Sequence, residues 1–184
     1  PLSPFMALVS LAIKLDSRGP AFYAHERMGS GGRRFRAWKF RTMAEDSDEV
    51  LRDHLGQHTE LRNEWARNHK LKHDPRVTRV GRWLRRSSLD ELPQLWNVVR
   101  GEMSLVGPRP IVEKEIGRYG DRFALYCKVL PGITGLWQVS GRNNTTYQER
   151  VNLDSYYVNN WSVWLDIYIL LSTGHAVLSR KGAY

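Results

Sequence analysis

The chain has one cysteine in 184 residues, Cys127. It cannot form an intrachain disulfide, and such sparing use of cysteine fits a reducing compartment. Cys127 lies in an apolar, aromatic run and is expected to be an inert core thiol. Long apolar runs are lacking too. A helix needs roughly 20 apolar residues to cross a bilayer, whereas the apolar stretch from Pro4 to Ile13 is interrupted by Ser10 and ends at Lys14, Asp16 and Arg18. Alone it cannot span. It suits a core helix, an interfacial helix, or the second arm of a longer membrane segment, with Ser3-Pro4 placing a break at its start. A basic n-region and a small-residue cleavage site are absent, so no cleavable signal peptide is expected. Gly29-Ser30-Gly31-Gly32 matches neither a P-loop nor a dinucleotide fingerprint and reads as a turn. There is no internal repeat and no low-complexity segment. Acidic residues are also in short supply: 19 Asp and Glu stand against 28 Lys and Arg, a net charge of +9.

That excess of cations implies an anionic partner: nucleic acid, a membrane surface or phosphorylated ligands. Seven tryptophans and eight tyrosines suit a membrane interface or base stacking. The length fits one domain or one domain with an appendage, and 41% hydrophobic with 26% charged residues is a globular composition. The first residue is proline rather than methionine, so upstream sequence is expected.

Ala21 to His25 and Phe35 to Phe40 read as short strands joined by the glycine-rich turn. Ala44 to His69 reads as a long polar helical region with Leu51, Leu55, Leu61 and Trp65 as sparse anchors, which Gly56 could split. His69 and His73 have a helical metal-ligand spacing but no third partner nearby, and read as structural or solvated. Arg79 to Arg86 is a short cationic amphipathic helix with Val80, Trp83 and Leu84 on one face. It suits either an anionic membrane surface or a surface position with its tryptophan in the core. Leu92, Leu95, Trp96 and Val99 form a helical stripe expected to pack, on a helix beginning near Asp90. Ile111 to Val129 reads as a helix with weak points at Gly117 and Gly120. Leu130 to Asn144 reads as a structured loop, and Tyr147 to Tyr157 as a helix. Trp161 to Leu178 is strongly apolar, but Asp166 and His175 interrupt it, favouring an interfacial or buried helix over a span.

The densest chemistry is Ser88-Leu89-Asp90-Glu91-Leu92-Pro93-Gln94-Leu95. It sets two adjacent carboxylates among Arg82, Arg85, Arg86 and the following Gly107-Pro108-Arg109-Pro110. Acids among cations at a helix start suit phosphorylated substrates and a metal ion, since a carboxylate can hold Mg²⁺ or attack phosphorus. The plainer reading is capping: Ser88 with Glu91 fits a capping box, Asp90 is a good N-cap, and Pro93 favours a start near Asp90.

Several linked motifs resemble the monotopic phosphoglycosyl transferases, the bacterial sugar transferase family. Lys39-Phe40-Arg41-Thr42-Met43 is similar to the family's KFRTM box. Asp74-Pro75-Arg76-Val77-Thr78-Arg79-Val80-Gly81 and the Ser88–Leu95 stretch resemble its central motifs. So do Met103-Ser104-Leu105-Val106-Gly107-Pro108-Arg109-Pro110 and Pro131-Gly132-Ile133-Thr134-Gly135-Leu136-Trp137-Gln138. Near the C-terminus, Val139-Ser140-Gly141-Arg142-Asn143, Tyr156-Tyr157-Val158-Asn159-Asn160-Trp161 and Lys181-Gly182-Ala183-Tyr184 resemble the undecaprenyl-phosphate galactose phosphotransferases of O-antigen synthesis.

The resemblance implies an α+β fold, mainly helical with a small β-hairpin, as a monotopic membrane-associated catalytic domain. Residues 1–18 would be the second arm of a truncated re-entrant membrane helix and residues 19–184 the cytoplasm-facing catalytic domain. It implies that Asp90 attacks a UDP-sugar, that UMP leaves, and that undecaprenyl phosphate then takes the phosphosugar from Asp90. Glu91 would hold Mg²⁺. Lys39, Arg41, Arg85, Arg109 and Arg142 are candidate phosphate contacts, because arginine recognises phosphate in a planar, bidentate way. Asp154 is a candidate extra acid. The setting implied is the cytoplasmic face of a bacterial inner membrane, in contact with its lipids, in O-antigen, lipopolysaccharide or exopolysaccharide synthesis. A homo-oligomer through upstream sequence is a further expectation. Galactose is the favoured sugar, with glucose or an N-acetylated or diamino sugar as alternatives. A nucleic-acid-binding module and a silent membrane scaffold are the competing classes. No nucleic-acid motif is present, and Asp90-Glu91 would repel a phosphate backbone without metal.

Overall fold

A computed structural model describes residues 2–57, 60–62, 65, 71, 74–141 and 145–178. His69, His73, Arg142 and the stretch from Lys181 to Tyr184 lie outside them. The chain divides into two compact units. One is built on residues up to 23 and from 40 to 90, the other on residues 24–39 and from 91 onward.

In the first unit, α1 (Leu2–Asp16) runs through Pro4, which sits in the opening turn where a missing N–H costs nothing. Val9 and Ile13, one turn apart, are buried, while Leu8, Leu11 and Leu15 form an exposed apolar stripe. The segment after Phe40 pairs with the one before α3 (Arg79–Ser87). Met43 bridges Val77 in antiparallel fashion. The N–H of Ala44 donates to Arg76 O at 2.9 Å, and that of Thr78 to Thr42 O at 3.1 Å. Thr78 then caps α3, its hydroxyl accepting from the Gly81 N–H at 3.0 Å, a device contributing about 1 kcal/mol. Gly81 packs directly on the backbone of Thr42, where a Cβ would collide with the carbonyl. On α3, Leu84 is fully buried, while Trp83 turns outward, so the expected shared face is split. α2 (Ser47–Gln57) buries no residue, opens on Asp48 and Glu49 as the helix dipole favours, and continues through Gly56. Glu60–Arg62 and Trp65 are also helical.

In the second unit the glycine-rich turn closes a hairpin of β1 (Phe22–Met28) and β2 (Arg34–Phe40). A connection this short permits only antiparallel pairing, and Gly31 and Gly32 supply its left-handed residues. α4 (Gln94–Val99) corrects the sequence reading. It starts at Gln94 rather than near Asp90, and it buries Gln94 and Asn97 while Trp96 and Val99 are exposed. The apolar stripe is therefore not its packing face.

Two-stranded pairing occurs a second time, which the sequence reading missed. β3 (Ser104–Val106) runs parallel to β4 (Gly132–Thr134), Ser104 opposite Gly132 and Val106 opposite Thr134. Gly107, Gly132 and Gly135 let these backbones touch, since a Cβ on any of the three would strike its neighbour. The single helix expected over 111–129 is instead broken into a 3₁₀ turn (Glu113–Glu115), α5 (Ile116–Tyr119), a second 3₁₀ turn (Gly120–Arg122) and α6 (Phe123–Tyr126). The break falls at Gly120, whose φ of 53° lies outside the helical region. α7 (Leu136–Val139), α8 (Tyr147–Asn159) and α9 (Val163–Leu178) complete the unit. Thr146 and Glu149 form the capping box of α8. One core cluster gathers Met28, Ile111, Tyr119, Tyr126 and Val151, with Cys127 packed beside it. The other gathers Val106, Leu136, Tyr157 and Ile169. Around Ile169, α9 exposes Val163, Trp164, Ile167, Tyr168, Leu170 and Leu171. The fold is mixed and mostly helical with small sheets, as expected. No described helix is long and apolar enough to cross a membrane.

Candidate active site

Asp90 and Glu91 sit on a short 3₁₀ turn, Leu89–Glu91, ahead of α4, whose N-cap position falls at Pro93 rather than at Asp90. Ser88 adopts a left-handed conformation (φ 56°) and closes α3 from behind, its N–H reaching Arg85 O. The next helix has Pro93 as its N-cap residue, without a side-chain cap. The capping box expected of Ser88 and Glu91 does not open α4: Ser88 closes α3 in a left-handed conformation, and α4 starts only at Gln94.

In the first unit, Arg85 faces Asp90. Its Nε–H donates to Thr42 Oγ1 at 2.9 Å. Burial lowers the guanidinium's affinity for its proton, and the charges of Asp90 and Asp74 oppose that shift. Asp74 and Arg76 form a two-pronged ion pair, Nε to Oδ1 at 2.8 Å and Nη2 to Oδ2 at 2.6 Å. Burial alone would raise the Asp74 carboxyl, but the Arg76 side-chain and backbone hydrogen bonds hold it below the usual range. Arg76 also lies 5.0 Å above the Trp65 ring. Arg41, a candidate phosphate contact, is only 8% exposed. Its guanidinium donates to the carbonyls of Ser17, Arg18 and Gly19, tying down the chain as it leaves α1.

In the second unit, Glu91 is paired with Lys39, both side chains about one-third exposed. Lys39 is indexed by its neighbours on β2. The Trp38 N–H donates to Asn97 Oδ1 at 3.1 Å, and Asn97 Nδ2 donates to Arg36 O at 2.7 Å and Glu102 Oε2 at 2.6 Å. Arg109, from the Gly107–Pro110 motif, lies 5.6 Å from the Trp137 ring. Arg150 lies 5.0 Å from the same ring and 5.1 Å from that of Tyr147. Asp154, one turn along α8, accepts from the Tyr119 hydroxyl at 2.6 Å. Burial drives its carboxyl up to about 7, against the Tyr119 hydrogen bond and the charges of Arg150 and Arg109.

Among the described residues no three His, Cys, Asp or Glu side chains cluster as a metal cage. The donor set fits Mg²⁺ nonetheless. This ion keeps most of its water and substrate-phosphate ligands and asks one or two carboxylates of the protein, and Glu91 is a part-exposed carboxylate already serving a cation.

The sequence points to Asp90, Glu91, Lys39, Arg41, Arg85, Arg109, Arg142 and Asp154, of which Arg142 lies outside the described residues, and it does not point to Thr42, Asp74, Asn97, Trp137 or Arg150. Thr42 and Trp137 lay inside quoted motifs. The Arg150–Asp154 spacing was legible as a same-face pair on the expected helix. Asn97 left no signal, because it lies off the apolar stripe, on the face that the pattern assigns to solvent.

A small α+β domain with paired acids set among arginine and lysine is the class of molecule defined this far. The profile of the bacterial sugar transferase family matches residues 1–180, and the chain belongs to that family. It is similar to the UDP-galactose-lipid carrier transferase of Erwinia amylovora, 52% identical over 100% of this chain and 38% of the relative. Its identity to the undecaprenyl-phosphate galactose phosphotransferase of Salmonella typhimurium strain LT2 is 52%, over 99% of this chain and 38% of the relative. The exopolysaccharide production protein ExoY of Rhizobium meliloti is 47% identical over 99% of this chain and 80% of the relative. The chain thus spans about two-fifths of the length of the first two.

Proposed function

We propose that the protein transfers a sugar-1-phosphate, galactose-1-phosphate by preference, from a UDP-sugar to undecaprenyl phosphate at a lipid surface. The observation that carries this reading is the part-exposed Asp90-Glu91 turn, each carboxylate facing its own cation. A part-exposed carboxylate beside a cation can act as a nucleophile.

In this mechanism a carboxylate oxygen of Asp90 attacks the sugar-bearing phosphorus of the donor. The phosphoanhydride bond breaks, UMP leaves with the bond's electron pair, and the phosphosugar is held as an acyl phosphate on Asp90. An oxygen of the lipid phosphate then attacks the same phosphorus and restores the Asp90 carboxylate. Arg85, Lys39 and Arg109 supply positive charge to the phosphate oxygens, while Arg142 remains a candidate from the sequence alone. Glu91 would hold Mg²⁺, which when bound neutralises diphosphate charge. Galactose is preferred because two relatives at 52% identity are named for it; UDP-glucose or an N-acetylated UDP-sugar is the alternative donor.

Lipid contact is supported by the exposed stripe of α1 and the exposed aromatic and aliphatic residues of α9, which suit a bilayer interface. Basic residues near anionic headgroups would add about 1 kcal/mol each.

The test is intact-protein mass spectrometry of the full-length protein incubated with UDP-galactose and Mg²⁺ without lipid acceptor. The expected result is a gain of one phosphohexose that Asp90→Asn lacks. An adduct formed only with another UDP-sugar would change the donor. A folded, membrane-reconstituted protein that forms none with any UDP-sugar would defeat the covalent route, and failure to release UMP would return the nucleic-acid reading.

A further inference from the structure

Trp137 carries two guanidinium groups, those of Arg109 and Arg150, at 5.6 and 5.0 Å from its ring centre. The two arginines differ. Arg109 is part-exposed and follows the Gly107-Pro108 close approach. Arg150 is 8% exposed and comes from α8. Among the described residues Arg150 has no tight carboxylate partner: Glu115 lies 3.8 Å from its Nη1 and Asp154 lies 4.0 Å from its Nε. Its Nε and Nη2, and the indole Nε1 of Trp137, are buried without a hydrogen-bond partner among the described residues. Buried donors left in this state cost stability. A cluster built only for packing would place apolar groups here, so the arrangement needs another reason.

We propose that Trp137 is a positioning residue for the donor diphosphate, holding the guanidinium plane of Arg109 against its ring while Arg150 fixes the ring from within the unit. This rests on the phosphoglycosyl transfer reading above. A free arginine side chain samples many rotamers, and holding it in place removes that ordering cost from substrate binding. The ring face is the right partner, because it attracts a guanidinium without competing for the N–H groups that a phosphate needs. Asp154 and Tyr119 complete the support: the Tyr119 hydroxyl donates to Asp154 Oδ2 at 2.6 Å, and the same oxygen lies 4.0 Å from Arg150 Nε.

The experiment is a double-mutant cycle in the full-length, membrane-reconstituted protein, reading kcat and KM for the UDP-sugar. Trp137→Leu should raise KM roughly two- to thirtyfold, the range of cation–π attraction, with a smaller change in kcat. Trp137→Phe keeps a ring face and should recover most of the loss. Trp137→Leu placed in an Arg109→Ala background should add little. A loss that adds in full to that of Arg109→Ala, or a phenylalanine variant as poor as leucine, would overturn the proposal.

A second measurement needs neither turnover nor a leucine variant that folds. In protein labelled with 5-fluorotryptophan, the Trp137 signal, assigned by Trp137→Phe, should move in Arg109→Ala and return towards its place in Arg109→Lys. A signal indifferent to Arg109 would overturn the positioning role even in an active enzyme. A signal that responds in a protein with no donor turnover would leave the contact standing and the functional reading fallen.

Discussion

Asp90 and Asp154 each face an arginine, in different units and in different surroundings. Asp90 is part-exposed on a 3₁₀ turn within the field of Arg85. Asp154 is 3% exposed on α8, hydrogen-bonded by Tyr119, with a carboxyl driven by burial to about 7. A strongly shifted carboxyl in a cluster of charges is a common sign of an active site, and by that rule Asp154 would be chosen first. The nucleophile of a phosphoryl transfer has other needs: it must be anionic and must reach phosphorus. A part-exposed turn beside a cation meets both needs, while a carboxylate sealed against a phenol is suited to holding its neighbours in place.

Removing the Asp90 carboxylate separates the two roles most sharply. Asp90→Asn should cut UMP release by at least about a thousandfold, the scale of losing a catalytic nucleophile, with an unchanged far-UV circular dichroism spectrum. Appreciable residual turnover would transfer the role elsewhere. Arg85→Lys comes next. It keeps the charge but gives up the planar group and the Nε–H bond to Thr42, so kcat/KM should fall roughly tenfold or more. Glu91→Gln should lower the rate by less and flatten the Mg²⁺ titration; an unaltered titration would point to other ligands.

Asp154→Asn has the smallest effect on chemistry and is read as stability against pH. The folded-state carboxyl is raised from its ordinary 3.8 to about 7. Across that window the native protein keeps a proton that the unfolded chain releases, so stability falls as pH rises from about 4 to about 7 and is level above. The melting temperature of the wild type should show this slope and that of Asp154→Asn should lack it. Equal slopes would mean that Asp154 titrates normally.

The glycine turn made the hairpin legible, the cationic amphipathic pattern of Arg79 to Arg86 made α3 legible, and α8 was legible over Tyr147 to Tyr157, whereas the capping roles of Thr78 and Thr146 emerge only in the structure. Three features escaped for physical reasons. Ser88 has the residue type of an N-cap but the backbone of a C-cap, and only φ distinguishes them. The stripe Leu92–Leu95–Trp96–Val99 is genuinely amphipathic, yet a pattern of apolar spacing does not say whether the rest of the fold lies on that side, and here Asn97 faces inward. The parallel β3–β4 pair depends on backbone contact between glycines 25 residues or more apart, Gly107 against Gly132 and Gly135, which no local window contains. The paired acids and most of their cations were readable from motif resemblance. The arginine stack on Trp137 was not, because its members come from three separate segments.

Asn97 has a consequence for how this family member can change. Its amide clasps the main chain at Arg36 and Trp38, and Lys39 is the next residue along the strand. The amide also belongs to the helix that follows Glu91 within the same unit. A neutral side chain therefore works as a gauge block between the two ends of an ion pair, setting their spacing without touching either charge. Loss of the amide would release the main chain beside Lys39 from the helix that follows Glu91.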